Sequence, residues 1–162
     1  MKLGILSDSH DRVERIELAL AEFQKRGVER LIHCGDITGP TTVYAFAGWT
    51  VDFTLGNCDW DPDALDKSIR EMGGTLHPEF GDLELAGKRI AWTHSHNAML
   101  FRRLEHSDDY DYLFYGHTHV AEQHITGRTL VMNPGALHRV RDKQCAVLDL
   151  SSGQIETIWL GE

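Results

Sequence analysis

The sequence predicts an α/β protein made of two stacked mixed β-sheets flanked by helices, in one domain spanning residues 1–162. Three observations predict it. Strand and helix patterns alternate over residues 2–55, the signature of a parallel sheet with right-handed crossovers. Beyond Gly73-Gly74 the texture changes to short strands separated by turn signals, which adds antiparallel pairing. No linker, repeat or low-complexity segment breaks the chain into units.

Lys2 to Ser7 carries Leu3, Ile5 and Leu6 and reads as a short buried strand. Asp11 to Arg26 reads as a helix, because Val13, Ile16, Leu20 and Phe23 recur at three- and four-residue steps. Asp11 with Glu14 resembles a capping pair, and Gly27 stands where a helix stops. Glu29 to His33 is a second strand, Thr41 to Ala47 a short helix and Val51 to Leu55 a third strand. Asp63 to Met72 is helical up to Gly73-Gly74. Asp82 to Leu85 and Lys88 to Thr93 form a hairpin across Ala86-Gly87. Asn97 to Glu105 is helical. Tyr112 to Tyr115, Glu122 to Ile125, Thr129 to Met132, Ala146 to Leu150 and Gln154 to Trp159 are strands.

Composition excludes several classes. No apolar run approaches the ~20 residues that cross a bilayer. The chain turns polar at Ser7-Asp8, too early for a signal peptide, so the expected compartment is the cytoplasm. The three cysteines, Cys34, Cys58 and Cys145, have no paired spacing and read as reduced thiols. Acidic residues outnumber Lys and Arg 25 to 16, for a net charge of −9. Such a surface repels a phosphate backbone and disfavours nucleic acid as a partner.

The informative feature is the short motif at the end of each strand. The first strand runs into Asp8-Ser9-His10, the second into Gly35-Asp36, the third into Gly56-Asn57-Cys58-Asp59. Lys88–Thr93 runs into His94-Ser95-His96, and Tyr112–Tyr115 into Gly116-His117-Thr118-His119. Ligands of open α/β sheets bind beyond the carboxyl ends of strands. Taken singly, Asp-x-His is also a helix cap with a surface histidine, Gly-Asp and Gly-Asn are also turns, and His-x-His is also a wet edge. Together, five strands deliver oxygen and imidazole donors to one rim. Imidazole, carboxylate and amide oxygen without obligatory thiolate suit Mn²⁺ first, with Fe, Zn²⁺ or Ni²⁺ as alternatives, rather than Ca²⁺. Seven donors exceed one tetrahedral ion but serve two divalent ions sharing a carboxylate. Such a pair, roughly 3.5–4 Å apart, clamps a phosphoryl group.

Asp8-x-His10, Gly35-Asp36, Gly56-Asn57-x-Asp59, His94 and Gly116-His117-x-His119, in that order and with Asn133-Pro134-Gly135 beyond them, resemble the motifs of the calcineurin-like metallophosphoesterase superfamily. The short chain and its Gly-Asn-Cys-Asp form resemble the small stand-alone phosphodiesterase branch. The resemblance implies a four-layer α/β/β/α sandwich. It implies one metal held by Asp8, His10, Asp36 and His119, and another by Asp36, Asn57, His94 and His117. Asp36 would bridge the two, and a hydroxide between them would attack phosphorus in line. Asp36, Asn57 and His96 are then the catalytic candidates.

Two departures stand out. Many relatives place a histidine after the asparagine, where this chain has Cys58, a poorer proton donor with an ordinary pKa of about 8.5. The branch often has His-Gly-His where this chain has His94-Ser95-His96. Elsewhere Asp59 is expected to orient Asn57 or cap the next helix. His33 and His124 are expected to be structural, and His77, His106 and His138 to lie on the surface. Trp60 is the tryptophan best placed to touch a substrate, and Arg139 reads as an exposed basic residue beside the Asn-Pro-Gly motif.

The expected partner is a small phosphoester substrate, with no membrane and with homo-oligomerisation open. The competing reading is a protein-interaction scaffold on the same fold with a degraded metal site. Retention of every proposed ligand favours the enzyme.

Overall fold

The computed structural model describes residues 1–161. Eleven strands form two mixed sheets among the described residues. The first sheet contains β1 (Lys2–Leu6), β2 (Arg30–His33), β3 (Val51–Thr54), β4 (Thr75–His77), β10 (Gln144–Asp149) and β11 (Gln154–Trp159), in the order β11-β10-β1-β2-β3-β4. The second contains β5 (Phe80–Leu85), β6 (Lys88–Thr93), β7 (Tyr112–Tyr115), β8 (Glu122–Thr126) and β9 (Thr129–Asn133), in the order β5-β6-β7-β9-β8. β1, β2, β3 and β4 run parallel, as do β6, β7 and β9, while β10, β11, β5 and β8 pair antiparallel.

Period-two alternation builds the layers. In β6, Ile90 and Trp92 join Leu3, Ile5 and Ile32 between the sheets, whereas Ala91 faces the other way. In β7, Phe114 enters the inter-sheet core while Leu113 and Tyr115 pack with Leu100 and Leu104 of α3 (Ala98–Glu105). The outer face of the first sheet is covered by α1 (Val13–Lys25) through Ile16, Leu20 and Phe23, and by α2 (Pro62–Met72) through Leu65 and Ile69. Helices, sheet, sheet and helix thus make the four layers that the motifs imply. No helix of the described residues is long and apolar enough to cross a membrane.

Several boundaries move for local reasons. Asp11 does not cap α1. The N-cap is Arg12, without a side-chain cap bond, while Asp11 accepts hydrogen bonds from Gly39 N (2.7 Å) and Thr42 Oγ1 (2.6 Å) and so ties down the loop after β2. The helix expected at 41–47 is a 3₁₀ helix, Pro40–Phe46, opened by its proline. α2 starts one residue earlier than expected, at Pro62, because Asp61 accepts the Ala64 N–H as cap. It stops at Gly73, whose φ of +92° is the left-handed cap glycine tolerates. β4 carries no apolar alternation and is seen only by its pairing with β3.

Candidate metal centre

The parallel strands of both sheets end on one rim, and each ending needs a close backbone approach. A Cβ on Gly56 would stand 2.1 Å from Asp36 Oδ1, and one on Gly116 2.0 Å from Ser7 Oγ. One on Gly35, itself at φ +96°, would stand 2.7 Å from His94 Nδ1. These glycines therefore precede Asp36, Asn57 and His117 for steric reasons, beyond the general turn preference. The residues between them are held in left-handed backbone: Asp8 (φ +54°), His10 (+42°), Asp36 (+58°), His117 (+74°) and His119 (+61°). Such conformations cost on the order of 1–3 kcal/mol each and gather at functional sites.

Hydrogen bonds hold the strained loops together. Asp8 N donates to Gly35 O (3.0 Å) and His10 N to Asp36 O (3.0 Å), which locks the first motif onto the second. His117 N donates to Asp8 Oδ2 (3.1 Å), bridging the two sheets. Asp59 neither orients Asn57 nor caps α2. Its carboxylate accepts the backbone N–H groups of Asp36 (3.0 Å), Thr38 (2.6 Å) and Gly56 (2.7 Å), and so fixes the Gly-Asp loop. Ser95 sits at φ +72°, a reason for glycine there, and its hydroxyl donates to Gly116 O (3.1 Å), anchoring the backbone.

Two groups of donors result. Ligand atoms of Asp8, His10, Asp36 and His119 lie within 4.8 Å of one another. His119 Nε2 is 3.0 Å from Asp8 Oδ1, and His10 Nε2 is 3.5 Å from Asp36 Oδ2. Asp8 Oδ1 and His10 Nε2 are nevertheless buried without a hydrogen-bond partner. In the second group, His94 Nδ1–H donates to Cys34 O (2.8 Å), which aims Nε2 at Asp36 Oδ1 (3.3 Å) and Asn57 Oδ1 (3.2 Å). The His117 ring centroid is 5.1 Å from that of His94. Three metal-competent atoms thus converge, and Asp36 belongs to both groups. Orphaned buried atoms in the first group and converging ligand atoms in the second are what a pair of cations would satisfy.

The charges agree. Burial opposes ionisation of Asp36, yet hydrogen bonds and charge from His94 and the Cys58 N–H hold its pKa well below the usual carboxylate range. Asp8 is likewise lowered, against its burial, by His119 and His94. His94 is raised: burial works against its charge, but Asp36 and Asp8 outweigh it. His10 is lowered by burial, to which the positive charge of Arg139 adds.

The expected residues fall in three places. Asp8, His10, Asp36 and His94 are buried at the centre, His119 is half-buried, and Asn57, His117 and His96 are exposed at the mouth. His96 has its ring 5.5 Å from that of His94 and 6.4 Å from that of His117, on the Asn57 side. Trp60 is 81% exposed and packs on none of the ligands. His138 departs from expectation. Its ring lies 6.0 Å from that of His10, and it meets Arg12 Nη2 at 3.4 Å. The bond from Leu137 N to Ser7 O (3.3 Å) brings that segment to the rim, and the charge of Arg139 reaches both His10 and Cys58. Their proximity to the Asn133-Pro134-Gly135 motif was the signal that could have found both. His77 also differs. It is half-buried, 3.1 Å from Asp52 Oδ1 and edge-on to Trp92.

Comparison with known proteins gives a consistent result. The family model described as the calcineurin-like phosphoesterase superfamily domain matches residues 1–153. A protein of Methanocaldococcus jannaschii named a phosphodiesterase is 30% identical over 138 residues, covering 83% of this chain and 83% of that protein. The YsnB protein of Bacillus subtilis is 27% identical over 161 residues, covering 94% of this chain and 86% of the other. A solved structure of an archaeal phosphodiesterase superposes with a TM-score of 0.91 at 27% identity, over 98% of this chain and 99% of that one.

Proposed function

This chain belongs to the calcineurin-like phosphoesterase superfamily, which acts on phosphoester bonds, and from that premise we propose that it is a two-metal phosphodiesterase of small substrates. The observation that carries the reading is Asp36, whose Oδ2 faces His10 and whose Oδ1 faces His94, beside Asp8 Oδ1 and His10 Nε2, which are buried without a partner. Asp8, His10, Asp36 and His119 would hold one cation, and Asp36, Asn57, His94 and His117 the other. The donor set suits Mn²⁺ first, then Fe, Zn²⁺ or Ni²⁺. When bound, such a pair supplies a nucleophile at neutral pH and offsets charge on the phosphoryl oxygens. The scaffold reading is disfavoured because the ligand set is intact and its backbone strained into place.

The test is metal loading. The chelated protein is expected to be inactive on a panel of phosphomonoesters, cyclic nucleotides and aryl phosphodiesters. Reloading with Mn²⁺ should restore hydrolysis, most strongly for diesters. A protein that binds two equivalents of metal yet hydrolyses none of the panel would favour the scaffold.

Cys58 sets the preference for leaving groups. Its backbone N–H donates to Asp36 Oδ1 (2.8 Å), so the side chain stands at the site. Burial and the Asp36 charge raise its thiol pKa, so it stays neutral and donates weakly. His96 is the competing donor, but partial desolvation of its ring and the charges of His94 and His117 lower its pKa and favour its neutral form. A positioned acid contributes ~10²–10⁴-fold. The parent is therefore expected to hydrolyse aryl diesters far faster than alkyl ones, with a steep plot of log rate against leaving-group pKa. Cys58→His should flatten that plot. A shallow plot in the parent that steepens in His96→Ala would transfer the role of acid to His96.

A further inference from the structure

Beside the second donor group lies a cleft of about 230 Å³, lined by Leu55, Pro62, Pro78 and Leu100 together with Gly56 and His96. It adjoins the site, since Gly56 precedes Asn57 and the His96 ring lies 5.5 Å from that of His94. Its volume is below the ~300–1,000 Å³ of a whole small-molecule pocket, so it suits part of a ligand.

Its polar lining is already engaged. Asp59 accepts three backbone N–H groups. The Thr93 hydroxyl donates to Glu79 O (2.9 Å), and Asn97 Oδ1 accepts the Leu100 N–H (3.2 Å) as cap of α3. What remains for an occupant is the apolar wall, together with the exposed His96 and Glu79 that also line the cleft. That carboxylate repels an anionic group.

We infer that this cleft receives the uncharged aryl arm of a phosphodiester, the ester group retained on phosphorus while the other departs. The inference rests on the phosphodiesterase reading and sharpens it. A monoester carries only anionic oxygens at its other positions, and none gains by entering an apolar cleft beside Glu79.

Two p-nitrophenyl diesters, one methyl and one phenyl, share a leaving group and differ only in the retained arm. With the metal-loaded parent, kcat/KM for the phenyl diester should exceed that for the methyl diester by roughly tenfold or more, as expected for filling an apolar pocket. Pro78→Trp should bring the ratio near unity while methyl-diester turnover persists. Pro78 is exposed on the cleft wall, and its carbonyl, which accepts the Leu55 N–H (3.3 Å), is retained. Independently of turnover, diphenyl phosphate added to the protein loaded with diamagnetic Zn²⁺ should produce ring-current shifts at the Leu55 and Leu100 methyls, and dimethyl phosphate should not. Equal rates for the two diesters in the parent, a ratio untouched by Pro78→Trp, or absent methyl shifts would each overturn the cleft while leaving the phosphodiesterase standing. Hydrolysis of neither diester would overturn both.

Discussion

Replacing Asp36 with asparagine is expected to cut hydrolysis by ~10³-fold or more, several kcal/mol of activation free energy at ~1.4 kcal/mol per decade. The reason is local. Asp36 Oδ1 accepts the Cys58 N–H (2.8 Å) and faces His94 Nε2 (3.3 Å), while Oδ2 faces His10 Nε2 (3.5 Å). An amide can keep one of these roles only. With its oxygen on the Cys58 N–H, its NH₂ points at His10, where a cation would otherwise stand, and an amide nitrogen does not ligate. Both groups of donors lose their shared member at once. The fold should survive, because an amide oxygen can still accept the Cys58 N–H and the repulsion of Asp59 is relieved, although the charge facing His94 is lost. Metal-free Asp36→Asn should therefore unfold cooperatively, as the parent does. Metal titration by calorimetry, with turnover measured at saturating Mn²⁺, checks the claim. Retention of two tight sites with near-parent turnover would remove Asp36 from the centre.

The second expected effect is on stability. His33 is fully buried, with Gly35 N donating to its Nδ1 (3.2 Å) and its Nε2–H donating to Ser9 Oγ (2.9 Å), and it packs against Phe46 and Phe53. His33→Ala removes a core ring and strands the Gly35 N–H, at a cost of about 2–4 kcal/mol. Because both hydrogen bonds anchor loops carrying candidate ligands, turnover should fall too, but only by ~10–100-fold, as for partners that orient ligands. The ring also leaves a pH signature. Burial depresses its pKa from 6.5 to about 3. A histidine lowered on folding takes up its proton more readily when unfolded, so its stabilising contribution is present above pH 6.5 and is lost as pH falls from there toward 3. The difference in stability between parent and His33→Ala should shrink over that window, by at most ~1.4 kcal/mol per pH unit. Denaturant melts at stepped pH measure it. A difference independent of pH, or a turnover loss equal to that of Asp36→Asn in an equally stable protein, would contradict the division of roles.

The candidate site was legible in the chain because its parts are local. Asp8, His10, Asp36, Asn57, His94, His117 and His119 each come within a few residues of a strand pattern, and the end of a strand places the residues just beyond it. The layers were legible because the alternation in β6 and β7 assigns each side chain to one face or the other. Where distant segments compete for one group, local pattern misleads. Asp11 looks like a helix cap until Gly39 and Thr42, brought up by β2, take its carboxylate. Asp59 looks like a cap until three N–H groups from two loops converge on it. His138 looks like surface until Leu137 bonds to Ser7 across the fold and brings its ring near that of His10.

The sequence by itself determined the order of the candidate donors and the strand after which each stands, because those depend on neighbours along the chain. Only the tertiary structure decided that Asp59 ties the Gly-Asp loop to Gly56, that Cys34 O aims His94 Nε2 at Asp36, and that an apolar cleft lies beside His96. Those features depend on contacts between residues as far apart as Cys34 and His94. The strained left-handed loops that carry the donors exist only while both sheets are packed against each other.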